Sequence, residues 1–154
     1  MATLTDEINA KSKEIFAESY SMSLGELISL YKDGELDIHP EFQRFFRWTN
    51  TQKTRLIESF LLNIPVPSIF VSQREDGVWD VVDGLQRLST IFQFVGIFKD
   101  HNGDLLQPLT LEATDLLPSL ANKTYEGETG FTETEKRFLK RAKIDVVIIK
   151  KESD

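Results

Sequence analysis

The stretch Val78-Trp-Asp-Val-Val-Asp-Gly-Leu-Gln-Arg-Leu-Ser-Thr-Ile-Phe-Gln-Phe-Val95 decides the fold. Val78 to Val82 is short, β-branched and apolar apart from Asp80, the composition of a largely buried strand. From Leu85 the period changes. Leu85, Leu88, Phe92 and Val95 recur at helical spacing, Ile91 and Phe98 widen the stripe, and Gln86, Arg87, Thr90 and Gln93 fall on other faces. Asp83 and Gly84 therefore mark a strand-to-helix junction. A helix N-terminus presents unpaired N–H groups and the positive end of its dipole, and glycine at 84 lets a ligand approach the backbone. That is anion-binding geometry.

Arg87 stands one helical turn beyond Asp83, so a guanidinium and a carboxylate are expected to face one small volume above the helix end. Arginine suits phosphate bidentately. Asp83 could hold a Mg²⁺ brought in by a nucleotide or accept from a base or ribose, and Gln86 could orient a water or a base. The same residues suit a plain helix start, with Asp83 as N-cap and Asp83 to Arg87 as an i,i+4 pair. Spacing alone favours that plainer account, because caps are far commoner than sites.

Working outward, Asp83-Gly84-Leu85-Gln86-Arg87-Leu88-Ser89-Thr90 resembles the Asp-Gly-Gln-Gln-Arg-Leu-Thr-Thr signature of a bacterial family. It forms the N-terminal domain of modification-dependent (type IV) restriction enzymes of the GmrSD kind and of related phage-defence proteins, with a fold similar to ParB and sulfiredoxin. Upstream, Ile38-His-Pro-Glu-Phe-Gln-Arg-Phe-Phe-Arg-Trp48 resembles that family's Ile-Pro-x-Phe-Gln-Arg-x-Phe-x-Trp. The likeness runs from about Ser23 to the chain end and is weakest between Asp100 and Lys143.

The resemblance implies an α+β domain with a ParB/sulfiredoxin-like fold, a small mixed or antiparallel sheet packed with helices. It implies a nucleoside triphosphate with Mg²⁺ as cofactor, and its hydrolysis. Asp83, Gln86 and Arg87 take the catalytic places, Gly84, Gln43, Arg44 and Arg47 the nucleotide-binding ones, and Asp83 the contact to Mg²⁺. DNA is then engaged through a partner or a C-terminal nuclease domain, in the cytoplasm, with room for a homo-oligomer. Leu85 stands where the family has Gln, a lost polar group that bears on turnover more than on binding. Relatives continue into a further helix and a Phe-x-Arg-x-Asn motif, so residues 23–154 are expected to be a domain truncated at its C-terminus, behind a helical extension over 1–22. A different class also fits a ParB-like fold: a non-catalytic DNA-binding or protein-interaction module in which the Asp83 to Arg87 pair is structural.

Composition narrows the field. The 154 residues, 40% hydrophobic and 28% charged, are those of one globular domain with a real core. A net charge of -7 disfavours a general electrostatic grip on nucleic acid and leaves only a local basic patch or a partner domain for that task. With Cys 0 there is no thiolate metal site, no Cys-His catalysis and no sulfiredoxin chemistry. His 2 leaves no basis for an HNH nuclease at His101-Asn102. Neither a P-loop nor a Gly-x-Gly-x-x-Gly motif occurs. No apolar run is long enough to span a membrane, and Asp6 and Glu7 do not suit a signal peptide.

Along the chain, Leu4 to Tyr20 suggests a helix, and Ser23 to Glu26 a capping box opening another that Asp33-Gly34 stops. Glu35 to Ile38 reads as a short strand. In Phe42-Gln43-Arg44-Phe45-Phe46-Arg47-Trp48, bases and aromatics interleave as base stacking with phosphate contact requires, although core aromatics beside surface arginines are the plainer account. Thr49 or Asn50 caps a helix to about Leu62, burying Leu56, Ile57, Phe60 and Leu61, with Lys53 and Arg55 on its solvated face. Ser68 to Gln73, turning at Arg74 to Gly77, makes a hairpin with the strand at Val78. Lys99 to Asp104 is a turn, Leu105 to Lys123 packs as short helices or loops, and Glu126 to Thr134 is expected to be mobile. Thr134 to Ala142 is helical, and its Lys136, Arg137, Lys140 and Arg141 make one local basic stretch, a solvated face by the plainer account and a nucleic-acid contact by the alternative. Lys143 to Lys150 is the clearest strand.

Overall fold

The computed structural model describes residues 2–39 and 46–151. Helix α1 (Leu4–Ser12) leads into strand β1 (Ile15–Ser23), α2 (Leu24–Lys32) and the short β2 (Leu36–Asp37). After α3 (Asn50–Leu61) come the hairpin β3 (Ile69–Gln73) and β4 (Trp79–Asp83), then α4 (Leu85–Phe94). A single 3₁₀ turn at Pro118–Leu120 interrupts the long connection to α5 (Glu133–Arg141) and β5 (Lys143–Lys151). The protein is α+β, with one mixed sheet ordered β1-β5-β3-β4-β2. The β1/β5 and β3/β4 pairs are antiparallel; β5/β3 and β4/β2 are parallel.

Polar residues at the helix starts explain where most helices begin. Thr3, Ser23, Thr49 and Thr132 each build a reciprocal capping box with the residue three further on, opening α1, α2, α3 and α5. Strand β5 puts Ile144, Val146 and Ile148 on one face, all buried, as period-two alternation requires. They share a core with Ile69 and Val71 of β3, Val81 of β4, and Leu88, Ile91 and Phe92 of α4. Tyr31 stacks on Phe92 at 4.3 Å between ring centroids, and burial pushes its hydroxyl pKa up.

Three expectations are corrected. The helical extension over 1–22 holds only for α1, because residues from Ile15 pair as β1 along the whole of β5, from Ile15 opposite Lys151 to Ser23 opposite Lys143. Ser19 and Ser21 are weak helix formers, and the ladder that β5 offers outweighs the remaining helical tendency. Strand β4 is not largely buried: Val81 is covered, whereas Val82 is 60% exposed, because one face of the hairpin is packed and the other is open. Lys53 leaves the solvated face of α3. Its ammonium lies 4.2 Å from the centre of the Phe46 ring and donates to Gln93 Oε1 at 2.8 Å, and burial lowers its pKa.

The segment 126–134 is also better anchored than its composition suggests. Tyr125 and Phe131 pack edge-on against Phe94, and Lys136 pairs with Glu126 at 2.8 Å. The 105–123 connection buries Leu109, Leu111 and Leu120 as expected of a segment laid on the core.

Candidate functional site

Strand β4 delivers the Asp83-Gly84 junction directly onto α4. The N-cap is Gly84, not Asp83, with φ +106 and no side-chain hydrogen bond, so α4 differs from the four box-capped helices. The requirement for glycine has two parts. The positive φ is one that residues with a Cβ rarely adopt, and a Cβ here would collide with Ile69 Cδ1.

Asp83 is exposed, and its Oδ1 accepts from the Gly84 N–H at 2.9 Å. Arg87 does not reach it: no ion pair joins the two among the described residues. Instead Arg87 Nη2 donates to the Ser68 carbonyl at 2.8 Å, reaching across to the residue before β3. Its Nε is buried and has no hydrogen-bond partner. The structure therefore keeps carboxylate and guanidinium at the same helix end without pairing them, and the i,i+4 pair of the plainer account is not formed.

Gln86 joins the two sequence blocks. Its Oε1 accepts from the backbone N–H of Arg47 at 3.1 Å and of Trp48 at 3.2 Å. Only the amide oxygen can accept two N–H donors, so the orientation of this side chain is set by its partners. Arg47 is thus brought beside the start of α4 through its backbone. Phe46 and Trp48 pack against the core, Phe46 meeting Phe98 edge-on at 5.6 Å, as the plainer reading of the aromatics expects. Gln43 and Arg44 lie outside the described residues.

Neighbouring polar groups escaped the sequence reading. Thr90 is fully buried and donates to the Gln86 carbonyl at 2.7 Å, while Ser89, also fully buried, has an unpartnered hydroxyl. Ser68 acts through its carbonyl, which carries no signal in side-chain pattern. Concave sites of about 320 Å³, beside Arg55, Glu58 and Glu112, and about 630 Å³, beside Tyr31, Asp37 and Lys99, lie away from Asp83 and Arg87. No helix of the described residues is long and apolar enough to cross a membrane.

Residues 24–153 match the family described as GmrSD restriction endonuclease, N-terminal domain. The chain belongs to that family. No curated protein and no solved structure matches it. Membership makes this a domain of a GmrSD-type restriction system, and the match spans everything from α2 to the end of β5. Both stretches on which the resemblance rests, 38–48 and 83–90, fall inside it.

Proposed function

We propose that this domain binds a nucleoside triphosphate with Mg²⁺ at the N-terminal end of α4 and hydrolyses it, powering or gating a DNA-targeting nuclease domain or subunit of a bacterial, phage-restricting system. The observation that carries this reading is Arg87: a buried Nε–H without an acceptor, one turn into a helix that no side chain caps. A buried, charged donor left unpaired is costly, and phosphate oxygens are its best acceptors. Residues and ligand class therefore fit. The dipole end of α4 adds to the attraction for an anion.

In this reading Arg87 and the backbone N–H groups following Gly84 hold phosphate oxygens, and the exposed Asp83 carboxylate faces the metal ion that travels with them. When bound, the Mg²⁺ nucleotide supplies a polarised terminal phosphoryl group that water can attack. Gln86, whose Oε1 is occupied by two backbone donors, acts as a positioning residue that holds the Arg47 to Trp48 segment at the site. The Ser68 contact keeps Arg87 from swinging into solvent, which lowers the ordering cost of binding.

Calorimetric titration with ATP, GTP and CTP, each with Mg²⁺, tests this directly. One of the three should bind, and binding should disappear in Arg87→Ala and Asp83→Ala variants that still melt cooperatively. Failure of the wild type to bind any of them overturns the proposal. A second reading, the non-catalytic DNA-binding or protein-interaction module, draws on the Arg87 bond to Ser68, which by itself ties strand to helix. On that account Arg87→Ala loses about 1.5–3 kcal/mol of stability, as expected for a hydrogen bond to a charged group, with no ligand to lose.

A further inference from the structure

Away from the α4 terminus, the sheet edge gathers a second set of chemically competent side chains. Strands β2 and β4 run parallel with Asp37 opposite Asp80. Alternation along an extended chain returns residue 39 to the face of residue 37, so Asp37, His39 and Asp80 converge. One ligand atom from each lies within 4.8 Å of the others, and His39 Nε2 is 2.9 Å from Asp80 Oδ1. All three are half-buried. Arg74, from the hairpin turn, leans over them with Nη1 3.7 Å from Asp37 Oδ2 and 3.7 Å from Asp80 Oδ1. Both separations exceed hydrogen-bond length, so the arginine answers the charge of the carboxylates without satisfying their oxygens.

We propose that Asp37, His39 and Asp80 form a binding site for a first-row divalent cation of the Zn²⁺ or Mn²⁺ type, with Arg74 as the internal cation that it displaces. One imidazole nitrogen and two carboxylate oxygens suit such an ion, at bond lengths of about 2.0–2.2 Å, and disfavour Mg²⁺ and Ca²⁺, which prefer all-oxygen shells. Water fills the remaining positions. Because the donors already lie within 4.8 Å of one another, closing them around an ion takes side-chain adjustment rather than strand movement. Arg74 is 39% exposed, and its Nε also lies 3.6 Å from Asp76 Oδ1, a partner outside the cluster toward which it can turn.

The consequence is mechanical. His39 directly precedes the 40–48 block, and Asp80 sits on the strand that ends at Asp83. A bound ion clamps the exit of β2 to β4 through His39 and Asp80. The site shares no ligand with the proposed nucleotide site, since it involves neither Asp83 nor Arg87.

Calorimetry with ZnCl₂ and MnCl₂, in the absence of nucleotide, is the test, with the melting temperature and the His39 imidazole ¹⁵N shifts followed in parallel. One ion per chain should bind, raising the melting temperature and shifting the His39 resonances. His39→Gln and Asp80→Asn should weaken binding by at least about tenfold, and Asp83→Ala should leave it unchanged. Arg74→Met should bind more tightly than wild type, because the competing cation is gone. If Arg74 is instead a structural counter-ion, Arg74→Met melts lower and added Zn²⁺ does not restore it. That result, an absence of saturable binding, or equal binding by His39→Gln overturns the proposal.

Discussion

Replacing Gln86 by Leu is the most informative single change, because it separates the bridging role of this side chain from the proposed catalytic one. The side-chain oxygen accepts from two backbone N–H groups, Arg47 at 3.1 Å and Trp48 at 3.2 Å. Each such bond contributes about 0.5–1.5 kcal/mol net, so losing both costs about 2 kcal/mol. For a domain of 154 residues, that lowers the melting temperature by about 4–8 °C. Gln86→Glu keeps an acceptor for both donors and adds negative charge at the favourable end of the α4 dipole, so it should melt close to wild type. Thermal denaturation followed by circular dichroism measures both variants, and phosphate release measures turnover. Were Gln86 a water-orienting residue only, Leu and Glu would abolish turnover equally and leave the melting temperature alone. A Leu variant melting within about 1 °C of wild type, the range expected of an uninvolved surface position, would refute the bridging role.

Gly84→Ala combines left-handed strain of about 1–2 kcal/mol with overpacking against Ile69 of about 1–3 kcal/mol, and urea denaturation should show their sum. In an Ile69→Ala background the overpacking part should vanish, so a double-mutant cycle that comes out additive would discount the contact. Ser89→Ala removes a buried hydroxyl without a partner, and should be neutral or stabilising by up to about 1 kcal/mol; a clear loss would reveal a partner. Tyr31 and Tyr125 have pKa values raised above 10.0 by burial, so the folded state holds their protons longer than the unfolded chain does. Their contribution is complete below pH 10.0 and is lost as pH rises through the folded values, so Tyr31→Phe and Tyr125→Phe should flatten the alkaline decline in stability. Lys53, lowered from 10.5 by burial, acts with the opposite sign: stability rises with pH as its unfolded form also deprotonates, and Lys53→Met should remove that rise.

What was legible in the sequence was whatever is encoded locally. Ser23 and Glu26 form their capping box, Thr49 opens α3, and the turn at Arg74 to Gly77 makes the antiparallel hairpin. The strand-turn-helix at Asp83 was legible for the same reason: its change of period lies within a few residues. What was lost depends on partners far away in the chain. Residues 15–23 alone are ambiguous, and only β5 makes them a strand. Arg87 and Asp83 are one turn apart, which suggested a pair, but the Ser68 carbonyl, 19 residues upstream, captures the guanidinium. Lys53 reads as solvated until Phe46 and Gln93 meet it.

Strand β3 shows why the junction has this form. Ile69 is fully buried on the central strand of the sheet and paired with Val146 of the neighbouring β5, so it can hardly shift. Its side chain occupies the space beside residue 84, which is why only glycine fits there. The carbonyl just before it, on Ser68, takes one end of Arg87. Ile69 at the start of β3 and Ser68 just before it thus set both the bareness of the helix start and the direction of the arginine. With one Arg87 nitrogen committed to protein and another left without an acceptor, the side chain is steered without being satisfied. A purely structural arginine gains nothing from a buried idle donor, since the cost of desolvating it has no return within the protein. That imbalance, more than the spacing of Asp83 and Arg87, is what supports the proposed anion site at the end of α4.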